Sequence, residues 1–153
     1  MIKFDEQKQL DSVAGALAIR KEIEGIAADV AGRGYKNICY LGIGGTYASA
    51  LQTQNHVQEY SGMEIIAQNA ALYNTTGNRR IGKDTVIVLS AVTGTTQEVV
   101  AAVEKAKAQG AVVIGFVDTA DTPLEKLSDY AIRYPQNEQL KFFMPVSYTH
   151  LTL

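Results

Sequence analysis

Three short, almost unbroken apolar runs limit what this chain can fold into: NICYLG at 37–42, TVIVLS at 85–90 and VVIGFV at 112–117. A strand with one wet face alternates apolar and polar residues, whereas a run that is apolar throughout belongs where both faces are covered. Glu64 to Asn69 and Tyr130 to Tyr134 read as two further strands. Between them lie helical segments. Thr46 to Tyr60 is one. Thr95-x-x-Glu98 is a capping box opening a second, which runs through Val99, Val100, Val103 and Ala106 to Gly110. Thr122-Pro123-Leu124-Glu125 combines an N-cap, proline at the first helical position and another capping box. The stretch through Thr75-Thr76-Gly77-Asn78 reads as a loop. Strands joined by crossovers of this length form right-handed βαβ units. The predicted fold is α/β: a doubly wound five-stranded parallel sheet in three αβα layers, flavodoxin-like, ordered 2-1-3-4-5.

Ahead of the first strand, Leu10, Val13, Leu17, Ile23, Ile26 and Val30 recur at helical spacing from about Glu6 to Ala31, and the pattern stops at Gly32-Arg33-Gly34. This long helix stands outside the βα alternation, as an arm able to pack on another half or subunit. The expected organisation is an arm at 1–35, the α/β domain at 36–145 and a tail at 146–153. The domain's last helix begins after Gln136 (NEQLKFFM) and is cut at Pro145. The tail resembles a translated sequencing-library adapter and is expected to be non-native.

With 153 residues, 46% hydrophobic and 20% charged, the chain can bury a core. A net charge of −2 with scattered Lys and Arg gives no nucleic-acid footprint. No apolar stretch approaches the roughly 20 residues that cross a bilayer. The single Cys39 can form no internal disulfide, and no leader pattern precedes the arm. These features predict a cytoplasmic protein with a small-molecule partner.

Ligands of open α/β sheets bind beyond the carboxyl ends of the strands, where the strand order reverses. Two loops there are unusual. Gly42-Ile43-Gly44-Gly45-Thr46-Tyr47 follows the first strand, and Ser90-Ala91-Val92-Thr93-Gly94-Thr95-Thr96 follows the third. Glycines admit a ligand close to the backbone, the following helices offer free N–H groups to an anion, and the hydroxyls add donors. Phosphate is the natural guest, with Gly44, Gly45, Thr46, Ser90, Thr93, Gly94, Thr95 and Thr96 as candidate binding residues. The same loops can also be read as a tight turn and as ordinary capping by Thr95.

A dinucleotide fingerprint needs glycine where Tyr47 stands and an acid near Asn69, and a Walker A loop needs a lysine that neither loop has. No metal-ligand spacing occurs. Cys39 reads as a buried thiol, His56 as a surface or helix-packing residue, and Glu98 as a cap. No cofactor is expected, and the catalytic residues are left unassigned.

At these loops the sequence resembles the SIS (sugar isomerase) family, which includes glucosamine-6-phosphate synthase isomerase domains and fructosamine-6-phosphate deglycases. The resemblance runs from about Phe4 to Met144. It is carried by Gly44-Gly45-Thr46-Tyr47, by Thr93-Gly94-Thr95-Thr96, and by FDEQKQLDSVAGALAIR, YLGIGGTYASAL and IGFVDTADTPLEKLSDYAIRYP, which look deglycase-like. It implies phosphate-binding roles for Thr46, Thr93 and Thr96. Ala91 departs from the family's usual serine, and Val92 is apolar. The resemblance also implies a phosphorylated sugar or amino sugar as ligand and a second SIS domain within a homo-oligomer, with acid/base groups mostly downstream. The activity it implies is a phosphosugar isomerase, deaminase or deglycase. Its alternatives are the sugar-phosphate-sensing half of a transcriptional regulator and, more weakly, a scaffold assembled through the arm. No helix-turn-helix precedes the arm, which favours the enzyme as the expectation.

Overall fold

The structure of the protein, a computed structural model, describes residues 5–134. The arm is helical from Glu6 to Arg33 with one joint: Ile19 (φ −83°, ψ 0°) separates α1 (Glu6–Ala18) from α2 (Arg20–Arg33). The joint falls where packing on the sheet begins. Ile19, Ile23, Ile26 and Val30 join a cluster on the sheet, whereas Leu10, Val13 and Leu17 of α1 stand 55%, 48% and 65% exposed.

The strands are β1 (Asn37–Gly42), β2 (Ile65–Asn69), β3 (Thr85–Ala91), β4 (Val112–Val117) and β5 (Tyr130–Arg133). All pair in parallel, in the order β2-β1-β3-β4-β5. Helices α3 (Gly45–Tyr60), α4 (Ala70–Thr76), α5 (Gln97–Ala108) and α6 (Pro123–Leu127) make the connections. Successive strand residues feed opposite cores, as a period of two requires. Cys39, Leu41, Ile87, Leu89, Val113 and Val117 meet α4, α5 and α6 on one face. Ile38, Val86, Val88, Ile114 and Ile132 meet α2 on the other. Helix α3 lies along β1 and β2, and its Gln54 Nε2 donates to the edge carbonyl of Ile65 at 3.0 Å.

Polar contacts fix the outer elements. The Tyr130 hydroxyl and Arg33 both donate to Asp29, Arg33 at 2.8 Å, and they hold its carboxyl below the ordinary carboxylate range. Helix α2 is thereby latched to β5. Asp129 extends the β4–β5 ladder by accepting from the Val113 N–H at 2.8 Å and from Lys107 at 2.6 Å. In α6, Thr122 accepts from the Glu125 N–H at 3.3 Å and Pro123 sits at the first position, as expected. The Glu125 carboxylate reaches back to the Asp121 N–H at 2.6 Å.

The stretch expected as a loop after β2 opens instead with α4. Asn69 caps it by accepting from the Leu72 N–H at 3.1 Å, a role concealed in the sequence because Asn69 also ends a strand. Tertiary contacts secure so short a helix. The buried Tyr73 donates its hydroxyl to Gln109 at 2.7 Å, and Lys105 Nζ donates to the carbonyls of Tyr73 and Asn74 at 2.9 and 3.1 Å.

Gly115 leaves room for the chain returning to β5, since a Cβ there would lie 2.2 Å from Ser128 Oγ and 3.2 Å from its Cβ. Gly115→Ala is expected to lower stability by about 1–3 kcal/mol through overpacking. Adding Ser128→Ala removes the closer clash and should recover part of that loss. Urea unfolding midpoints of the single and double variants check both.

Candidate functional site

β1 and β3 are neighbours, but β1 connects onward to β2 on one side and β3 to β4 on the other. A crevice therefore opens between their carboxyl ends. The two predicted loops flank it, one leading into α3 and the other into α5.

In the first loop Gly42 is fixed by sterics: a Cβ would meet the Thr46 backbone carbon and the Tyr47 nitrogen at 2.7 Å each. Gly44 turns the chain with φ +57°, a conformation other residues rarely adopt. A Cβ on Gly45 would meet nothing within 4 Å, so the space beside the start of α3 is open. Thr46 stands at this helix start but spends its hydroxyl on the turn, accepting from the Ile43 N–H at 3.0 Å and donating to the Ile43 carbonyl at 2.9 Å. What it leaves for a ligand is its amide. The N–H groups of Gly44, Gly45, Thr46 and Tyr47 have no acceptor among the described residues.

The second loop keeps its hydroxyls. Ser90, Thr93, Thr95 and Thr96 make no side-chain hydrogen bond among the described residues, and the amides from Thr93 through Glu98 have no acceptor there. This corrects the capping expectation. The N-cap of α5 is Thr96, one residue later than predicted, with no side-chain cap bond, so the Thr95–Glu98 box does not form. The chain stays extended at Thr96 (ψ 113°), leaving the first-turn donors uncapped. Glu98 is exposed, and its carbonyl accepts from Asn74 at 2.9 Å.

A third element, unassigned from sequence, holds this loop. Gly94 (φ +63°) lies against Thr122, whose Oγ1 would be 2.3 Å from a Cβ at that position. The Leu124 N–H donates to the Gly94 carbonyl at 3.2 Å, and Thr119 Oγ1 donates to the Val92 carbonyl at 3.1 Å. Thr122 signalled only a helix start in the sequence. Its fit against Gly94 depends on β3 and β4 being neighbours.

Cys39 is fully buried, and burial pushes its thiol up to about 12, so it is not a nucleophile at neutral pH. His56 is exposed on α3 against Tyr60, ring centroids 5.0 Å apart. Among the described residues no group of three or more His, Cys, Asp and Glu could hold a metal ion. No described helix is long and apolar enough to cross a membrane.

An open parallel sheet with donor-rich loops at its switch point defines a class of domains that hold anionic ligands at helix N-termini. The chain belongs to the SIS domain family, whose model matches residues 33–153. That match starts three residues before the expected domain boundary at residue 36 and takes in the expected tail, which lies outside the described residues. An uncharacterized HTH-type transcriptional regulator of Clostridium perfringens is 42% identical over 57 residues, 37% of this chain and 20% of the regulator. A proposed phosphosugar isomerase from Salmonella typhimurium LT2 is similar in structure (TM-score 0.67, 29% identity, 73% of this chain, 34% of that one). Tagatose-6-phosphate ketose/aldose isomerase from Escherichia coli shares the fold (TM-score 0.70, 16% identity, 86% of this chain, 38% of that one). The chain thus spans about a fifth of the regulator and roughly a third of the two solved proteins.

Gly42→Ala is expected to destabilise the domain by about 1–3 kcal/mol, because the clash is with backbone that a rotamer change cannot relieve. Gly45→Ala, facing open space, should leave stability nearly unchanged while narrowing the approach to α3. Thermal unfolding of the two variants side by side checks the contrast.

Proposed function

We propose that this domain binds the phosphate of a sugar phosphate in the crevice between β1 and β3. The observation that carries the reading is the second loop: uncommitted hydroxyls at Ser90, Thr93, Thr95 and Thr96 beside amides without acceptors at the start of α5. A dianion accepts from neutral donors and the positive end of a helix, so the absence of lysine from both loops is no obstacle. Gly44, Gly45, Thr46 and Gly94 complete the cradle through backbone approach. The whole protein, on this reading, acts on a phosphorylated amino sugar or fructosamine by isomerisation, deamination or deglycation, with proton transfer beside a carbonyl or imine. A second SIS domain and a homo-oligomer fit the exposed apolar residues of α1 and the greater length of the similar proteins. A cytoplasmic location agrees with that metabolism.

The second reading is a sugar-phosphate-sensing half of a transcriptional regulator, favoured by the 42% identity to the Clostridium perfringens protein. Turnover of fructosamine 6-phosphate or glucosamine 6-phosphate by the whole protein supports the enzyme. DNA binding that a sugar phosphate relieves, without turnover, supports the regulator.

Calorimetry should show fructosamine 6-phosphate binding far more tightly than fructosamine, and equal affinities would remove the phosphate cradle from consideration. Thr93→Val should weaken binding by about 1–3 kcal/mol through loss of a donor to a charged acceptor. An unchanged dissociation constant would place the site elsewhere.

A further inference from the structure

The turn between β4 and α6 grips the second loop at two carbonyls. Thr119 Oγ1 donates to Val92 at 3.1 Å, and the Leu124 N–H donates to Gly94 at 3.2 Å. In a trans peptide the carbonyl of one residue and the N–H of the next point in opposite directions. Pulling the Val92 and Gly94 carbonyls toward the β4–α6 turn therefore turns the Thr93 and Thr95 N–H groups away from it. β4 lies on the side of β3 opposite β1, so those two amides face the crevice side. Thr122, 4% exposed against Gly94, prevents the loop from sinking toward α6.

We infer that the β4–α6 turn is a strap that aims the Thr93 and Thr95 amides at the bound phosphate, with Thr119 as a positioning residue that does not touch the ligand. This rests on the phosphate-binding reading above. Thr119 is exposed and belongs to neither buried cluster, so its substitution is expected to leave the core packing intact. The anion-binding geometry of neighbouring amides depends on their common orientation. A freed Val92–Thr93 peptide rotates and takes one donor out of the set.

The test is NMR titration with inorganic phosphate of the wild-type protein, Thr119→Val and Thr119→Ser, with urea midpoints measured in parallel. Thr119→Val should bind phosphate about five- to a hundredfold more weakly, the loss of one charge-assisted donor, at an unchanged unfolding midpoint. Its Thr93 and Thr95 amide resonances should shift before any ligand is added, while those of Gly45 and Thr46 stay in place. Thr119→Ser, which keeps the donor, should restore the affinity. Equal affinity of wild type and Thr119→Val overturns the strap and leaves the phosphate site standing. No binding by wild type overturns both. Weakened binding that serine fails to restore, or that accompanies a lowered midpoint, also overturns the positioning role.

Discussion

The pairing that sets Asn37 beside Thr85 and Leu41 beside Leu89 brings two βα turns side by side at the carboxyl ends of the strands. Adjacent strands run about 4.8 Å apart, so turns leaving neighbouring parallel strands would crowd each other if both crossed the same face. Here they part, α3 toward β2 and α5 toward β4, and the space between is left open. Every donor assigned to the crevice is carried there by this one register. A slip of one residue along β3 would exchange its two faces and carry Ser90 away from the first loop.

What holds that register is burial. Leu41, Ile87, Leu89, Val113 and Val117 are wholly buried under α4, α5 and α6, and truncating Leu41, Ile87 or Leu89 to alanine removes about 2–5 kcal/mol. The ion pairs Arg20–Glu24, Arg33–Asp29 and Arg80–Glu64 join side chains that are about half exposed or more, where such pairs contribute about 1 kcal/mol at most. The polar interactions that matter more join backbone to side chain. Asn69 at α4, Asp129 ahead of β5 and Lys105 on the Asn74 carbonyl of α4 each satisfy a group that helix or strand geometry leaves open.

Much of this was legible in the residues. β1 and β4 span the apolar runs that announced them, and the parallel βαβ build follows from alternation and handedness, while the order 2-1-3-4-5 is the one expected of a flavodoxin-like sheet. The failures share a cause, because each depends on tertiary contact. α4 is too short to announce itself by periodicity and exists through Tyr73, Lys105 and Gln109. The joint at Ile19 marks where the arm meets the sheet, which periodicity does not locate. Thr95 and Thr122 carry the same capping signature, but only Thr122 caps, with Gly94 packed against it. Thr46 and Thr93 likewise look equivalent in sequence, although the first hydroxyl is taken by Ile43 and the second is not.

The hydroxyls of the second loop differ from the cations of many phosphate sites in one respect beyond charge. An arginine or lysine only donates, whereas a threonine hydroxyl both donates and accepts. A phosphate monoester takes up a proton near pH 6, and that proton then needs an acceptor. Ser90, Thr93, Thr95 and Thr96 can each rotate to provide one, so the cradle proposed here can hold the monoanion as well as the dianion. The helix ends still favour the dianion, but protonation would not leave the added proton without a partner.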